Sequence, residues 1–402
     1  MPEGGNRMTE PYYRDESVTL FHGDNREVLA ELPSASLDAC VTDPPYELGF
    51  MGRSWDSKGI AYDKWLWAEV WRVLKPGGHL LAFGGTRTWH RLACAIEDAG
   101  FEVRDSIAWM YGSGFPKSLD VSKAIDKAAG VAFTESPAEG VGFMNAEGRD
   151  GYNVTKNRLT RSGDMTDAAR EWQGWGTALK PAFEPIVVAR KPLQGTVAEN
   201  VQRWGTGAIN VDGCRIGTDG GTRSEGEPNR LNEVYGDGMG GLPSVPLNAG
   251  RWPANVVLDE SQAAELDRQS GVQRDGVAVK RNGVTSNGVT GWGKALVGTP
   301  DLGYGGEGGA SRFFYTAKAS TDERPRVDGI AHPTVKPLDL MQYLVRLVTP
   351  PGGTVLEPFA GSGTTLEACI VEGFKCVGIE ITDEYLPLIM QRITKPIEVT
   401  LL

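Results

Sequence analysis

Apolar runs of strand length alternate with helix-length amphipathic stretches at both ends of this chain, and that alternation limits its fold more than any other feature. SVTLFHGD (17–24) reads as a strand, NREVLAEL (25–32) as a helix, and LDACVTDPPY (37–46) as a buried strand stopped by two prolines. YDKWLWAEVWRVL (62–74) has apolar residues at helical spacing and ends at KPGG. HLLAFGG is then a buried strand, TWHRLACAIEDAG a helix stopped by Gly100, and FEVRDSIAWMYG a strand. SLDVSKAIDKAAG (118–130) reads as a helix and FEPIVVARK (183–191) as a strand. After residue 311 the order returns: RFFYTA strand, LDLMQYLVRLV helix, GGTVLEPFA strand, TTLEACIVEGF helix, KCVGIEI strand. Strictly alternating elements of these lengths predict an α/β fold, a doubly wound and mostly parallel sheet with helices on both faces.

Between these pieces, residues 193–310 are rich in Gly, Asn and Ser, with a near-repeat NGVTSNGVT at 282–290 that reads as turn chemistry. RWPANVVLDE (251–260) is the one clear strand candidate there. The outline is two α/β pieces, 12–192 and 311–402, separated by a loop-rich insertion at 193–310.

The 402 residues can bury a large core without disulfides or metal. Five cysteines with no CxxC pair suggest buried, reduced thiols and no zinc site. No apolar run is long enough to span a bilayer, and the first residues lack the apolar core of a signal peptide, so a cytoplasmic protein is expected. The net charge of −11 excludes a protein that coats a polyanion wholesale. Only 115–192 is not net negative, and Lys117, Lys123 and Lys127 there read equally as the start of a basic face or as a solvated helix.

Two motifs carry chemistry. Asp43-Pro44-Pro45-Tyr46 ends a buried strand, where α/β folds place their ligands. The prolines fix the backbone, so the Asp43 carboxylate and the Pro44 carbonyl become acceptors at set positions. Such a pair can hold the hydrogens of an exocyclic base amine and favour a pyramidal nitrogen with a free lone pair. Tyr46 offers a flat face on which an extruded base can stack. The second motif, Glu357-Pro358-Phe359-Ala360-Gly361-Ser362-Gly363-Thr364, turns from a strand through glycines into a helix whose first N–H groups face a ligand. It lacks the Lys of a phosphate-binding P-loop and the third Gly of a dinucleotide fingerprint. Glu380 follows 19 residues after Gly361 at the end of the next strand, a place suited to binding two ribose hydroxyls.

DPPY, FAGSGTT and the segment His332-Pro333-Thr334-Val335-Lys336-Pro337 together resemble the signature set of the DNA amino-methyltransferases, in the motif order of their permuted beta group. The resemblance implies a seven-stranded sheet, with S-adenosylmethionine at the glycine loop and double-stranded DNA as the partner, its target base flipped out to DPPY. It assigns catalysis to Asp43, Pro44, Pro45 and Tyr46. Cofactor binding falls to Glu357, Phe359, Ala360, Gly361, Ser362, Gly363, Thr364 and the ribose-binding Glu380. His332, Thr334 and Lys336 are assigned to the methionine pocket. Asp24 resembles the acid that reads the cofactor's adenine, with a helix cap as its alternative role. Asp at the first motif position favours adenine over cytosine; an RNA or protein amide methyltransferase and a DNA-binding scaffold are the more distant alternatives. No cysteine follows a proline, which argues against covalent attack on a ring carbon. GFPKSLDVSKAID and RWPANVV resemble phage- and prophage-borne modification enzymes, and 193–310 fits the place of a target-recognition region. Whether a restriction nuclease accompanies the chain, and whether it forms a homodimer, stay open at the level of sequence.

Overall fold

The computed structural model describes residues 10–48, 59–112, 114, 118–131, 134–137, 159–162, 165–217, 250–274, 307–318 and 324–395. The elements run β1 (Tyr13–Arg14), β2 (Val18–His22), α1 (Asn25–Glu31), β3 (Leu37–Thr42), α2 (Lys64–Val73), β4 (Leu74–Phe83), α3 (Trp89–Asp98), β5 (Glu102–Met110), α4 (Val121–Ala128), β6 (Thr134–Pro137) and β7 (Leu159–Ser162). They continue with α5 (Asp167–Glu171), β8 (Phe183–Arg190), α6 (Val197–Trp204), β9 (Val256–Asp259), α7 (Glu260–Ser270), β10 (Gln273–Arg274) and β11 (Glu307–Gly308). The last are β12 (Tyr315–Ala317), α8 (Leu338–Val348), β13 (Thr354–Glu357), α9 (Thr364–Val371), β14 (Lys375–Glu380) and α10 (Leu386–Ile393).

One sheet of ten strands, ordered β1-β2-β14-β13-β3-β4-β8-β5-β9-β12, carries the fold. Seven strands from β2 to β5 form its body; β1 extends one edge, and β9 with β12 the other. The expected seven strands are thus present, with three more. Pairing is parallel except at β1–β2 and on both sides of β8. Side chains along each strand alternate between two cores, as the two-residue strand period requires. On β4, Leu81 and Phe83 face α8, α9 and α10, while Leu80 and Ala82 face α1, α2 and α3. The result is a doubly wound α/β sandwich.

Several sequence expectations change. α2 ends before KPGG as expected, but KPGG lies inside a longer β4, where Gly77 takes φ +80° and the β3–β4 register shifts. Only Tyr315–Ala317 of RFFYTA is strand, because Ala310–Phe313 wind into a 3-10 turn. Four helices have no counterpart in the sequence reading: the short α5, and α6, α7 and α10. α6 opens with a complete capping box, Thr196 and Glu199, which was visible in the sequence. α7 is too polar to show an apolar stripe, and α10 begins around Pro387.

The domain outline also shifts. The chain divides into two compact units, one of residues 1–112 with 183–402 and the other of 113–182. The described parts of the 193–310 insertion belong to the first unit, because α6 packs on β4 and β9 pairs with β5. In the second unit, α4 and α5 are joined by Thr166, whose Oγ1 donates to Asp126 at 2.6 Å. NGVTSNGVT and Lys117 lie outside the described residues.

His79 on β4 is buried opposite Arg190 of β8. Burial lowers its pKa from 6.5 to about 4, and Arg190 and Arg104 add to the effect. The unfolded chain therefore takes up a proton near pH 6.5 that the folded chain refuses until about pH 4. Stability from this group is intact above pH 6.5 and is lost as pH falls through that window, by about 3 kcal/mol in all. Urea unfolding of His79→Gln at pH 7 and pH 4 is expected to show a loss smaller than that of the parent protein by about this amount.

Candidate active site

The two motif strands are neighbours. β3 and β13 pair in parallel through Val355–Ala39 and Leu356–Cys40, so the loops after both emerge side by side at the carboxyl edge of the sheet. Glu357 fastens them from beneath. Thr42 Oγ1 donates to its Oε1 at 2.5 Å, Thr365 Oγ1 to its Oε2 at 2.6 Å, and the Phe359 N–H to Oε1 at 3.0 Å. Burial pushes its carboxyl up to about 8, and those three donors work against that rise. Glu357, expected at the cofactor, is buried and accepts from Thr42 on one side and from Phe359 and Thr365 on the other, so it braces the two motifs against each other.

β3 ends where Pro44 and Pro45 can no longer donate to the ladder. Asp43 and Tyr46 then meet Lys336 and a residue that sequence reasoning missed, Glu184 at the start of β8. Lys336 Nζ lies 2.6 Å from Asp43 Oδ2, 3.1 Å from the Tyr46 hydroxyl and 3.2 Å from Glu184 Oε2. The Tyr46 hydroxyl donates to the same Glu184 oxygen at 2.7 Å. Every N–H of the ammonium thus has an acceptor in reach. Burial lowers the Lys336 pKa, and the Asp43 and Glu184 carboxylates more than reverse it, so the residue keeps its proton. Burial and the same two acids raise the Tyr46 pKa well above its ordinary value. Lys336, expected in the methionine pocket, has its ammonium in contact with the DPPY cluster. No local signal marked Glu184, an ordinary acid before an apolar strand.

Tyr46 is further fixed through its carbonyl, which accepts from Thr88 Oγ1 at 2.9 Å. Gly85 lies close beside its ring: a Cβ there would stand 3.3 Å from Cδ2.

The glycine loop runs from Phe359 to Thr364. Gly361 (φ +51°) and Gly363 (φ +81°) take left-handed conformations that disfavour other residues. The Gly361 N–H donates to Glu380 Oε2 at 2.7 Å, and Thr382 N–H to Oε1 at 2.7 Å. Burial raises the Glu380 pKa, opposed by these backbone donors. The Thr382 side chain and the Ile381 backbone add to these donors, so the carboxylate is held as an acceptor at the end of β14, which suits the hydroxyls of a ribose. His332 stands over the loop, its Nε2 3.3 Å from where a Cβ on Gly361 would lie, with its ring edge-on to Tyr385. Its Nδ1 is 2.6 Å from the Thr334 carbonyl, while Thr334 itself is exposed. Ala360, Ser362 and Thr364 are buried, leaving Phe359 and Gly361 as the more open positions of the loop. Asp24 follows β2 beside the Glu380 strand end, and its carboxylate caps α1 and pairs with Arg26 at 2.7 Å. Of the two roles expected for it, the cap is the one seen. Among the described residues no three His, Cys, Asp or Glu gather as a metal site. No helix among them is long and apolar enough to cross a membrane. Four of the five cysteines are buried thiols and Cys94 is exposed.

The chain is 23% identical over 313 residues to the type II methyltransferase M.HindIII of Haemophilus influenzae, covering 76% of this chain and 61% of that protein. It is 44% identical over 62 residues to the DNA adenine methyltransferase YhdJ of Escherichia coli, covering 15% of this chain and 21% of that one. It therefore spans under two thirds of the length of either relative. Among solved structures, the PvuII DNA methyltransferase (cytosine-N4-specific) aligns over 96% of this chain and 90% of its own at 14% identity and a TM-score of 0.45. A family model described as DNA methylase, N6_N4_Mtase, matches residues 37–391, so the chain belongs to that DNA methylase family.

Proposed function

We propose that this protein transfers a methyl group from S-adenosylmethionine to the exocyclic amine of adenine in double-stranded DNA, at a specific sequence and with the target base flipped out of the helix. The observation that carries this reading is the pairing of β3 with β13. It sets the Asp43 carboxylate beside the glycine loop, with the Glu357 brace fixing their separation. A reacting nitrogen and a methyl donor held in line at adjacent loops gain from proximity without any further chemistry by the protein. The adenine assignment draws on Asp43 in the first motif and on the short, strong match to a relative named as an adenine methyltransferase.

In this mechanism Glu380 would hold the ribose of the cofactor, and Phe359, Gly361 and His332 would line its methionine end. The bound cofactor supplies a methyl group on a positively charged sulfur, which leaves as a neutral thioether. Asp43 and the Pro44 carbonyl accept the two amine hydrogens and localise the nitrogen lone pair. Asp43 then takes the proton that the amine gives up. The Tyr46 ring supports the extruded base. The motif order is that of the permuted beta group. Residues 193–310 carry target recognition while adding β9 to the sheet edge, and the sequence likeness to phage-borne modification enzymes gives the setting in which the chain acts.

Mass spectrometry of nucleosides from DNA of expressing cells should find N6-methyladenine, and single-molecule sequencing should give its motif. Methylcytosine alone would overturn the adenine assignment. Asp43→Ala should abolish transfer and leave cofactor affinity unchanged; an active variant would overturn the mechanism.

Glu380→Gln keeps the shape but loses the charge on the ribose hydrogen bonds, which is expected to weaken S-adenosylmethionine binding by about tenfold or more in calorimetry. An unchanged dissociation constant would remove Glu380 from the cofactor site.

A further inference from the structure

The edge of adenine that carries the reacting amine holds a second feature, the adjacent ring nitrogen, which accepts a hydrogen bond. Cytosine presents the same pair. Guanine and thymine present the reverse, a carbonyl oxygen beside a ring N–H. A pocket that reads a flipped base by this edge needs an acceptor and a donor side by side. Asp43 Oδ2 and Lys336 Nζ, 2.6 Å apart, are such a pair.

Resting on the function proposed above, we infer that Lys336 donates to the ring nitrogen next to the target amine while Asp43 accepts from the amine, and that Glu184 positions Lys336 for that contact. The bond count favours the exchange. As the base enters, the ring nitrogen replaces Asp43 as an acceptor for Lys336, and the amine replaces Lys336 as a donor to Asp43. One hydrogen bond gives way to two. The remaining N–H groups of Lys336 stay on Glu184 at 3.2 Å and on the Tyr46 hydroxyl at 3.1 Å, so the ammonium keeps its place when it leaves Asp43. Tyr46 accepts from Lys336 because its own proton is on Glu184. The Phe83 and Tyr46 rings flank the ammonium, with Nζ 4.8 and 5.3 Å from their centroids.

Guanine or thymine in the same place would set a carbonyl oxygen against the Asp43 carboxylate and an N–H against the ammonium, two repulsive contacts. The pair therefore selects aminated bases as a class and leaves the choice between adenine and cytosine to other residues. Lys336 is a specificity determinant and Glu184 a positioning residue.

Duplexes carrying the methylation motif, with the target adenine replaced by 1-deazaadenine or 7-deazaadenine opposite an abasic site, test this directly. The first analogue keeps the amine and lacks the ring nitrogen; the second keeps both. With the full-length protein, kcat/KM on 1-deazaadenine is expected to fall about 10- to 100-fold, and on 7-deazaadenine to stay within about threefold of adenine. If the target is cytosine, 3-deazacytosine serves instead. Equilibrium binding of the same duplexes with S-adenosylhomocysteine present extends the test to variants without needing turnover. Lys336→Met should bind adenine and 1-deazaadenine duplexes alike. Glu184→Gln should lower kcat and narrow the discrimination with cofactor affinity unchanged, and Glu184→Asp should recover part of both. Equal rates on adenine and 1-deazaadenine in the parent protein, or discrimination that survives in Lys336→Met, would overturn the inference while amine methylation stands. An absence of methylation on every natural duplex would instead overturn the function it rests on.

Discussion

The structure turns on a carboxyl group that holds together two strands from opposite ends of the chain. Glu357 accepts from Thr42, 315 positions earlier in sequence, and from Thr365 eight positions later. An unpaired carboxyl at this depth would cost several kcal/mol, so burial is tolerable only because both oxygens have donors. Those donors come from the strand behind the DPPY turn and from the helix behind the glycine turn. The brace therefore ties the position of one loop to the position of the other, and proximity between them is a property of the core.

Charge is distributed to match. Above the brace, Lys336 is shared between Asp43 and Glu184, so the cluster has two acids for one base. In the proposed reaction, excess negative charge favours an electron-deficient methyl group and an amine that sheds a proton. It is unfavourable toward a phosphate backbone, as is the net charge of −11. On the proposed function, contact with DNA is concentrated on particular residues and the acidic centre is reached only by the flipped base.

Two of the residues singled out in the sequence have partners that local sequence did not show. Glu357, read as part of a ligand loop, turned inward because its strand runs beside Thr42. Lys336, read with His332 and Thr334 as one segment, separated from them: His332 leans over Gly361 while Lys336 reaches Asp43. Residues 331–337 form no regular helix or strand, so their spacing in sequence does not reveal which loop each side chain meets.

The sequence by itself determined the α/β class, the strands that carry DPPY and the glycine loop, and Asp43, Tyr46, Gly361 and Glu380 as residues at strand ends. Those features rest on local rules: apolar period, prolines that end a strand, glycines that take positive φ. The tertiary structure alone decided that β3 lies beside β13, that β9 and β12 extend the sheet, and that Glu184 joins the site. Glu184 comes 138 positions after Tyr46. Only the antiparallel insertion of β8 between β4 and β5 carries that carboxylate to the tyrosine and the lysine. Pairing between distant strands depends on how whole faces bury one another, and no window of local sequence contains that information.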